Sequence, residues 1–130
     1  MTTIPQSHRD LLTACQVTIL ATNGPDGHPQ VTATWFVVDA DDRVRLSINT
    51  RRQKARNLQR DPRCTLFFID PSSPYRTLEI RGRAEMVPDP DHALAREVGA
   101  RYGADLREMD SPGDTRIAVT IVPEKVNTYG

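Results

Sequence analysis

Apolar and polar positions alternate with a period of two over much of the chain. From Arg43 to Asn49, Val44, Leu46 and Ile48 fall on one side and Arg45, Ser47 and Asn49 on the other. That pattern predicts a strand with one face in a core and one polar face. Gln16 to Thr22 and Pro29 to Asp39 read as two strands joined through the dense turn signal Asn23-Gly24-Pro25-Asp26-Gly27, a hairpin. Arg63 to Asp70 is a further strand, with Cys64-Thr65-Leu66-Phe67-Phe68-Ile69 apolar on both faces, and Pro71 to Pro74 is a loop. Arg76 to Val87 is a long strand with Gly82 marking a bulge or bend, and Arg116 to Val122 is the last strand.

Helical signals lie between these runs. Ser7 to Leu12 reads as a capped amphipathic helix after Pro5. Asp89-Pro90 places a cap and a first-turn proline before a helix reaching about Tyr102, and Gly103 to Asp114 is irregular. The sum is six strands and three short helices, the strands mostly antiparallel because the connections are too short for parallel crossovers. The fold class is mainly β (α+β), a small closed or half-open antiparallel barrel, and the 130 residues form one domain, 1–130.

The segment after the third strand carries the chemistry. Thr50 with Gln53 three residues on predicts a capping box, so the helix starts among Arg51, Arg52 and Lys54. A helix N-terminus surrounded by cations is a ready phosphate site. Arg51, Arg52, Lys54, Arg56, Arg60 and Arg63 are six of the 17 basic residues, while 17 acids bring the formal net charge to +0. The positive charge is therefore local. A phosphate-bearing ligand and a nucleic-acid backbone both fit this segment, and a solvated basic face is the plain structural alternative.

Composition narrows the classes. Apolar residues at 38% and charged residues at 26% describe a soluble globular chain. No apolar run approaches the ~20 residues of a membrane span, and Met1 to Pro5 has no signal-peptide character, so a cytoplasmic protein without membrane contact is expected. Cys15 and Cys64 sit by apolar runs and read as buried free thiols, and His8, His28 and His92 share no metal-ligand spacing. His8 and His28 read as surface or capping residues, and Asp41, Asp42, Glu85 and Asp89 as solvated turn and helix-start carboxylates. No G-x-S-x-G, Walker loop or G-x-G-x-x-G is present, which disfavours protein-borne hydrolysis and points to a bound cofactor for any reaction. Trp35, the lone tryptophan, reads as core or interface, and aromatics at 5% are too few for a single-stranded nucleic-acid surface.

Three runs together carry a resemblance: P-Q-V-T-A-T-W-F on strand two, S-I-N-T-R-R-Q-K-A-R-N-L-x-R-D-P after strand three, and E-I-R-G-R-A-E on the long strand. The chain resembles the pyridoxamine 5′-phosphate oxidase-like superfamily, the FMN-binding type of six-stranded split β-barrel. Within it, the chain is most similar to the actinobacterial coenzyme F-420 (deazaflavin)-dependent reductases. The resemblance implies a homodimer with cofactor sites at the interface and a small unsaturated organic acceptor as substrate. It implies phosphate anchors at Arg52 and Lys54, with Asn57 one helical turn further, and strand-end positions Ser47, Ile48 and Thr50 beside them. Gln30, Val31, Thr32, Ala33 and Thr34 match the strand along the tricyclic ring, and Tyr75 and Arg76 a region brought over the site by the partner subunit. No proton donor or other catalytic residue stands out. FMN in the same fold is the alternative cofactor, and a non-catalytic module binding a phosphorylated ligand or nucleic acid is the alternative class. The vitamin-converting oxidases carry a C-terminal arginine-rich motif that Thr128-Tyr129-Gly130 does not match, so pyridoxamine phosphate is not the expected substrate.

Overall fold

The computed structural model describes residues 2–130. Seven strands form one antiparallel sheet: β1 (Thr18–Asn23), β2 (Pro29–Thr34), β3 (Val37–Val38), β4 (Val44–Asn49), β5 (Arg63–Asp70), β6 (Ser73–Pro88) and β7 (Arg116–Tyr129). Their order across the sheet is β2-β1-β5-β6-β7-β4-β3. Three helices accompany them: α1 (Leu11–Ala14), α2 (Gln53–Arg60) and α3 (Ala93–Tyr102), with 3-10 turns at Gln6–His8 and Leu106–Met109.

The connectivity itself forces the sheet to curl. β2 and β3 are its two edges, yet only Trp35 and Phe36 separate them in the chain. Three Cα steps span at most about 11 Å, whereas the edges of a flat seven-stranded sheet would lie about 29 Å apart. The edges must therefore approach each other, and the sheet becomes a half-barrel split along the β2–β3 seam. This also explains why there are seven strands and not six. The expected run from Pro29 to Asp39 breaks at the corner because the backbone of Phe36 leaves the ladder. Its N–H donates to Tyr102 Oη at 3.2 Å, and its carbonyl accepts from Arg101 Nη1 at 2.6 Å.

The inner face of the barrel is apolar, as the alternation requires. Val44, Leu46 and Ile48 of β4, Leu66 and Phe68 of β5 and Leu78 and Ile80 of β6 are fully buried in one cluster that also takes Leu11, Ala55 and Leu58 from the helices. Leu94, Ala95 and Val98 of α3 make a second cluster with Val37, Leu106 and Ala118. The register of β6 against β7 shifts between Arg81 and Gly82, where a Cβ would sit 2.3 Å from the Val122 carbonyl oxygen, so the bulge needs glycine. β7 runs to Tyr129, well past the expected end at Val122, because β6 pairs with it along its whole length.

Several local expectations are corrected. Ser7 to Leu12 divides into a 3-10 turn and the four-residue α1. Thr50 does not cap α2. Its N–H and hydroxyl both pair with Thr115, extending the β4–β7 ladder by one residue, and the helix cap is Arg52 without a side-chain hydrogen bond. Asp89 is buried, not solvated, and its carboxylate accepts from the amides of Ala93, Leu94 and Ala95 at 2.9–3.2 Å. It thus caps α3 from a distance, with the left-handed His92 between. His8 is also buried, within hydrogen-bond distance of Ser7 Oγ and the Tyr129 carbonyl. Cys15 and Cys64 are free and buried. No helix is long and apolar enough to cross a membrane.

Candidate functional site

A cavity of about 540 Å³ opens at the seam, between β2, β4, the tip of α2, α3 and the 3-10 turn. Of the residues singled out in the sequence, Gln30, Thr32, Ala33, Thr34, Ser47, Ile48, Arg52 and Lys54 line it. The remaining five do not. Val31 lies on the opposite face of β2 and is exposed, Thr50 is engaged by Thr115, and Asn57 is buried behind the wall. Tyr75 is exposed at the start of β6, and Arg76 is clamped by Asp10 and Asp70 at 2.6 and 2.9 Å; neither reaches the cavity of its own chain.

The cationic wall follows from how α2 begins. Asn49 Oδ1 accepts from the Arg51 amide and the Asn49 carbonyl from the Arg52 amide, so β4 ends in a tight corner. The helix then starts with Arg52, Gln53 and Lys54 on the cavity side, and buried Ala55 and Leu58 hold it against the barrel. Behind the tip, Gln53 Nε2 donates to Asn57 Oδ1 at 2.8 Å, and Asn57 Nδ2 donates to Thr22 Oγ1 at 3.1 Å and Gln30 Oε1 at 3.2 Å. Asn57 therefore locks α2 to β1 and β2 and fixes the orientation of Gln30.

Lys54 is the electrostatically strained group. Burial pushes its ammonium below the ordinary lysine value, and the neighbouring Arg52 and Arg116 push it further the same way. No carboxylate offsets this among the described residues. Arg116, by contrast, is neutralised: its Nε and Nη2 donate to both oxygens of Asp110 at 2.8 and 2.9 Å, with both side chains buried. Arg51 turns outward to Asp114. Among the residues lining the cavity, positive charge without a carboxylate partner is thus confined to Arg52 and Lys54.

The β2 wall is polar and incompletely satisfied. Gln30, Thr32 and Thr34 share a face, and the Thr32 hydroxyl is buried without a hydrogen-bond partner. As a sheet edge, β2 also leaves part of its backbone donors and acceptors without ladder partners. A buried orphan hydroxyl beside uncompensated cations is costly unless a ligand supplies the missing partners. The donor set fits a molecule with an anionic tail and a flat polar-edged ring. Among the described residues no group of three His, Cys, Asp or Glu is arranged to hold a metal.

Sequence reasoning missed the other walls: Trp35, Asn49, Gln53, Val98, Leu106, Met109 and Arg116 also line the cavity, with Val17 before β1. Trp35 had a signal, being the sole tryptophan next to the Thr32–Thr34 strand. Leu106 and Met109 fall in the irregular 103–114 stretch, which the sequence reading expects to shape an acceptor pocket, whereas Val98 and Arg116 had no signal, since only the fold brings them here.

Fold and site together define an oxidoreductase-like split barrel, a sheet whose seam carries a ligand cavity with a cationic helix tip. The chain belongs to the pyridoxamine 5′-phosphate oxidase family, whose model matches residues 4–130. Among solved structures it is similar to an F-420 reductase, at 37% identity and a TM-score of 0.82, covering 95% of this chain and 98% of that one. It is also similar to a conserved hypothetical protein from Mycobacterium tuberculosis, at 32% identity and a TM-score of 0.76, covering 97% and 84%. The heme storage protein HutZ from Vibrio cholerae shares the fold at 21% identity and a TM-score of 0.76, covering 99% of this chain and 96% of that one. A search among curated proteins found no match.

Proposed function

We propose that this protein is a cytoplasmic oxidoreductase that binds reduced coenzyme F-420 at the seam and reduces a small unsaturated organic acceptor. The observation that carries the reading is a single cavity holding two uncompensated cations, Arg52 and Lys54, beside the orphan hydroxyl of Thr32. The similarity to an F-420 reductase supports the deazaflavin over FMN. When bound, the reduced coenzyme would supply a hydride for the acceptor, and water or a group at the substrate pocket would supply the proton that completes the reduction.

The chain's own part is binding and orientation. Arg52 and Lys54 hold the anionic tail, and the first-turn amides of α2 point the same way. Thr32, Thr34 and Gln30 offer hydroxyl and amide groups to the ring edge, with Gln30 held by Asn57. Ser47 supports Arg116, whose Nη1 lies 3.2 Å from its hydroxyl. The two buried free thiols suit a reducing compartment.

We further propose that the protein is a homodimer. Ladder register places Ala33, Ile19 and Phe67 in one row and Val31, Ala21 and Thr65 in the next, on the outside of the sheet. This apolar outer face ends at Ala33 on the cavity rim, so a second copy seated there completes the site. Val31→Asp is expected to give a monomer by analytical ultracentrifugation; a variant that stays dimeric defeats this interface.

The deciding experiment is a paired titration of purified protein with coenzyme F-420 and with FMN, followed by acceptor reduction with the reduced coenzyme. Tighter binding of F-420 is expected. Preference for FMN overturns the deazaflavin reading, and absence of binding to either overturns the redox assignment.

A further inference from the structure

The side-chain amides that link the surface of α2 to the cavity wall are held one way round. Arg56, on the exposed face of α2, donates from Nη2 to Gln53 Oε1 at 2.8 Å and from Nη1 to the Arg51 carbonyl at 2.9 Å. A guanidinium only donates, so it draws the oxygen of Gln53 toward itself and turns the NH2 away. Gln53 Nε2 then donates to Asn57 Oδ1, which leaves Asn57 Nδ2 to donate to Thr22 Oγ1 and Gln30 Oε1. Asn57 is fully buried. Turning its amide alone would set NH2 against NH2 and oxygen against oxygen, at the full cost of unpaired buried groups. Gln30, the last amide in line, therefore turns its Nε2 away from the wall, where no protein acceptor meets it among the described residues.

The rest of the cavity makes the same demand. No carboxylate lines it. Both ends of the Asn49 amide are engaged, by Asp110 and Asp114 and by the Arg51 amide. The Ser47 hydroxyl accepts from Arg116, which Asp110 neutralises, and the Thr34 hydroxyl donates to the Trp35 carbonyl. The charged and amide side chains left for a ligand are Arg52, Lys54 and Gln30, all as donors. The unpartnered Thr32 hydroxyl lies two residues from Gln30 on the same strand face.

We infer that Arg56, Gln53 and Asn57 are positioning residues that set the polarity of the cavity through Gln30. This corner accordingly takes a ligand that presents a hydrogen-bond acceptor, a ring carbonyl oxygen, and rejects one that presents an N–H. A ligand N–H there would leave two donors facing each other without partners. Arg56 does not line the cavity, yet it decides which end of Gln30 does. Naming the ring rests on the coenzyme reading above, whereas the direction of the hydrogen bonds does not.

Solvent exchange of side-chain amide protons, followed by NMR on isotope-labelled full-length protein without ligand, tests the direction. Both Gln30 Nε2 protons are expected to exchange freely. Gln53→Glu must reverse the chain of hydrogen bonds: the new carboxylate only accepts, so Asn57 donates to it and Gln30 donates to Asn57. One Gln30 proton should then exchange at least tenfold more slowly. An acidic side chain suits the first turn of α2; should that variant nonetheless fail to fold, Arg56→Met at its exposed site should give a rate between the two. Coenzyme F-420 should slow one Gln30 proton of the wild type. Gln30→Glu, which puts a carboxylate oxygen where the donor stood, should weaken its binding tenfold or more. A Gln30 proton already protected in the ligand-free wild type, or a rate that neither variant changes, overturns the inference. Should F-420 bind without slowing Gln30, the polarity argument is wrong and the coenzyme assignment stands. Should the exchange pattern hold while F-420 fails to bind, the polarity stands and the coenzyme assignment falls.

Discussion

Replacing Lys54 with methionine is expected to move binding and stability in opposite directions, a combination that a solvated surface lysine cannot produce. In the free protein Lys54 is a partly buried ammonium flanked by Arg52 and Arg116, without a carboxylate. Its pKa is lower in the folded chain than in the unfolded one, so the charged form is disfavoured by folding. That cost is full at pH values below the folded pKa, and it fades as pH rises toward the ordinary lysine value of 10.5. Lys54→Met removes the cost, so the unfolding midpoint at neutral pH should rise, and the gain in stability with alkaline pH should flatten. An anion bound in the cavity reverses the balance. One charge-assisted contact to a phosphate contributes about 1.5–3 kcal/mol, which corresponds to roughly a 10- to 100-fold loss of affinity when it is removed. Arg52 is exposed, so its contact is screened by water. Arg52→Ala should cost only about 0.2–1 kcal/mol, a few-fold effect that shrinks at high salt. The assays are deazaflavin fluorescence titration at low and high salt and thermal unfolding from neutral to alkaline pH. Unchanged affinity in Lys54→Met, or a lysine effect smaller than that of Arg52→Ala, refutes the reasoning.

Buried polar groups elsewhere give four further outcomes. Asp110→Asn breaks the buried pair with Arg116 and should destabilise the fold by about 3–5 kcal/mol, measured by chemical denaturation. Arg116 holds the Asp110 carboxyl, and Asn49 the Asp114 carboxyl, below the ordinary carboxylate value. Their contribution is present above that ordinary value and is lost as pH falls through the depressed folded values; a wild-type stability that stays flat on acidification contradicts this. Asp89→Ala leaves three α3 amides without their acceptor and should cost about 1–2 kcal/mol, with hydrogen exchange accelerated at 93–95; unchanged protection there defeats the capping role. Burial pushes the Cys64 thiol up to about 12 and raises that of Cys15, so both should resist alkylation in the native protein at mildly alkaline pH and react once it is unfolded. Rapid native labelling of Cys64 would show that β5 opens.

What the sequence reveals about this site depends on how many residues apart its parts lie. The cationic tip is readable because Arg52 and Lys54 are two residues apart on one short helix. The β2 wall is readable because Gln30, Thr32 and Thr34 follow the period of a strand. The helix start is misread by a turn, since the hydroxyl of Thr50 is taken by Thr115, 65 residues away, and nothing local announces that competitor. The neutralisation of Arg116 is equally invisible, because Asp110 and Leu106 lie in a stretch whose only sequence signature is irregularity. Asp89 follows the same logic: a carboxylate before Pro90 looks like an ordinary cap, and only the fold shows it buried four residues ahead of the helix.

The seam corner ties these observations together. Trp35 and Phe36 carry the chain from one edge of the sheet to the other, and that short crossing is what keeps the barrel open along one line. Phe36 points into the core, where it meets Phe68 edge-on at 5.3 Å, and Trp35 turns to the cavity. The same two residues therefore anchor the barrel, define the gap in it and furnish one wall of the gap. Arg101 and Tyr102 close the ladder that the corner breaks by taking up the Phe36 backbone groups. A change that loosens Arg101 should thus loosen the Trp35–Tyr102 stack and the seam as one unit. Arg101→Leu is expected to raise hydrogen exchange at Phe36 and to shift the fluorescence emission of Trp35, while the α2 anion site keeps its affinity for the coenzyme. If exchange rises at Phe36 and the Trp35 emission does not change, the corner and the stack are independent, and the ladder closure has no bearing on the cavity wall.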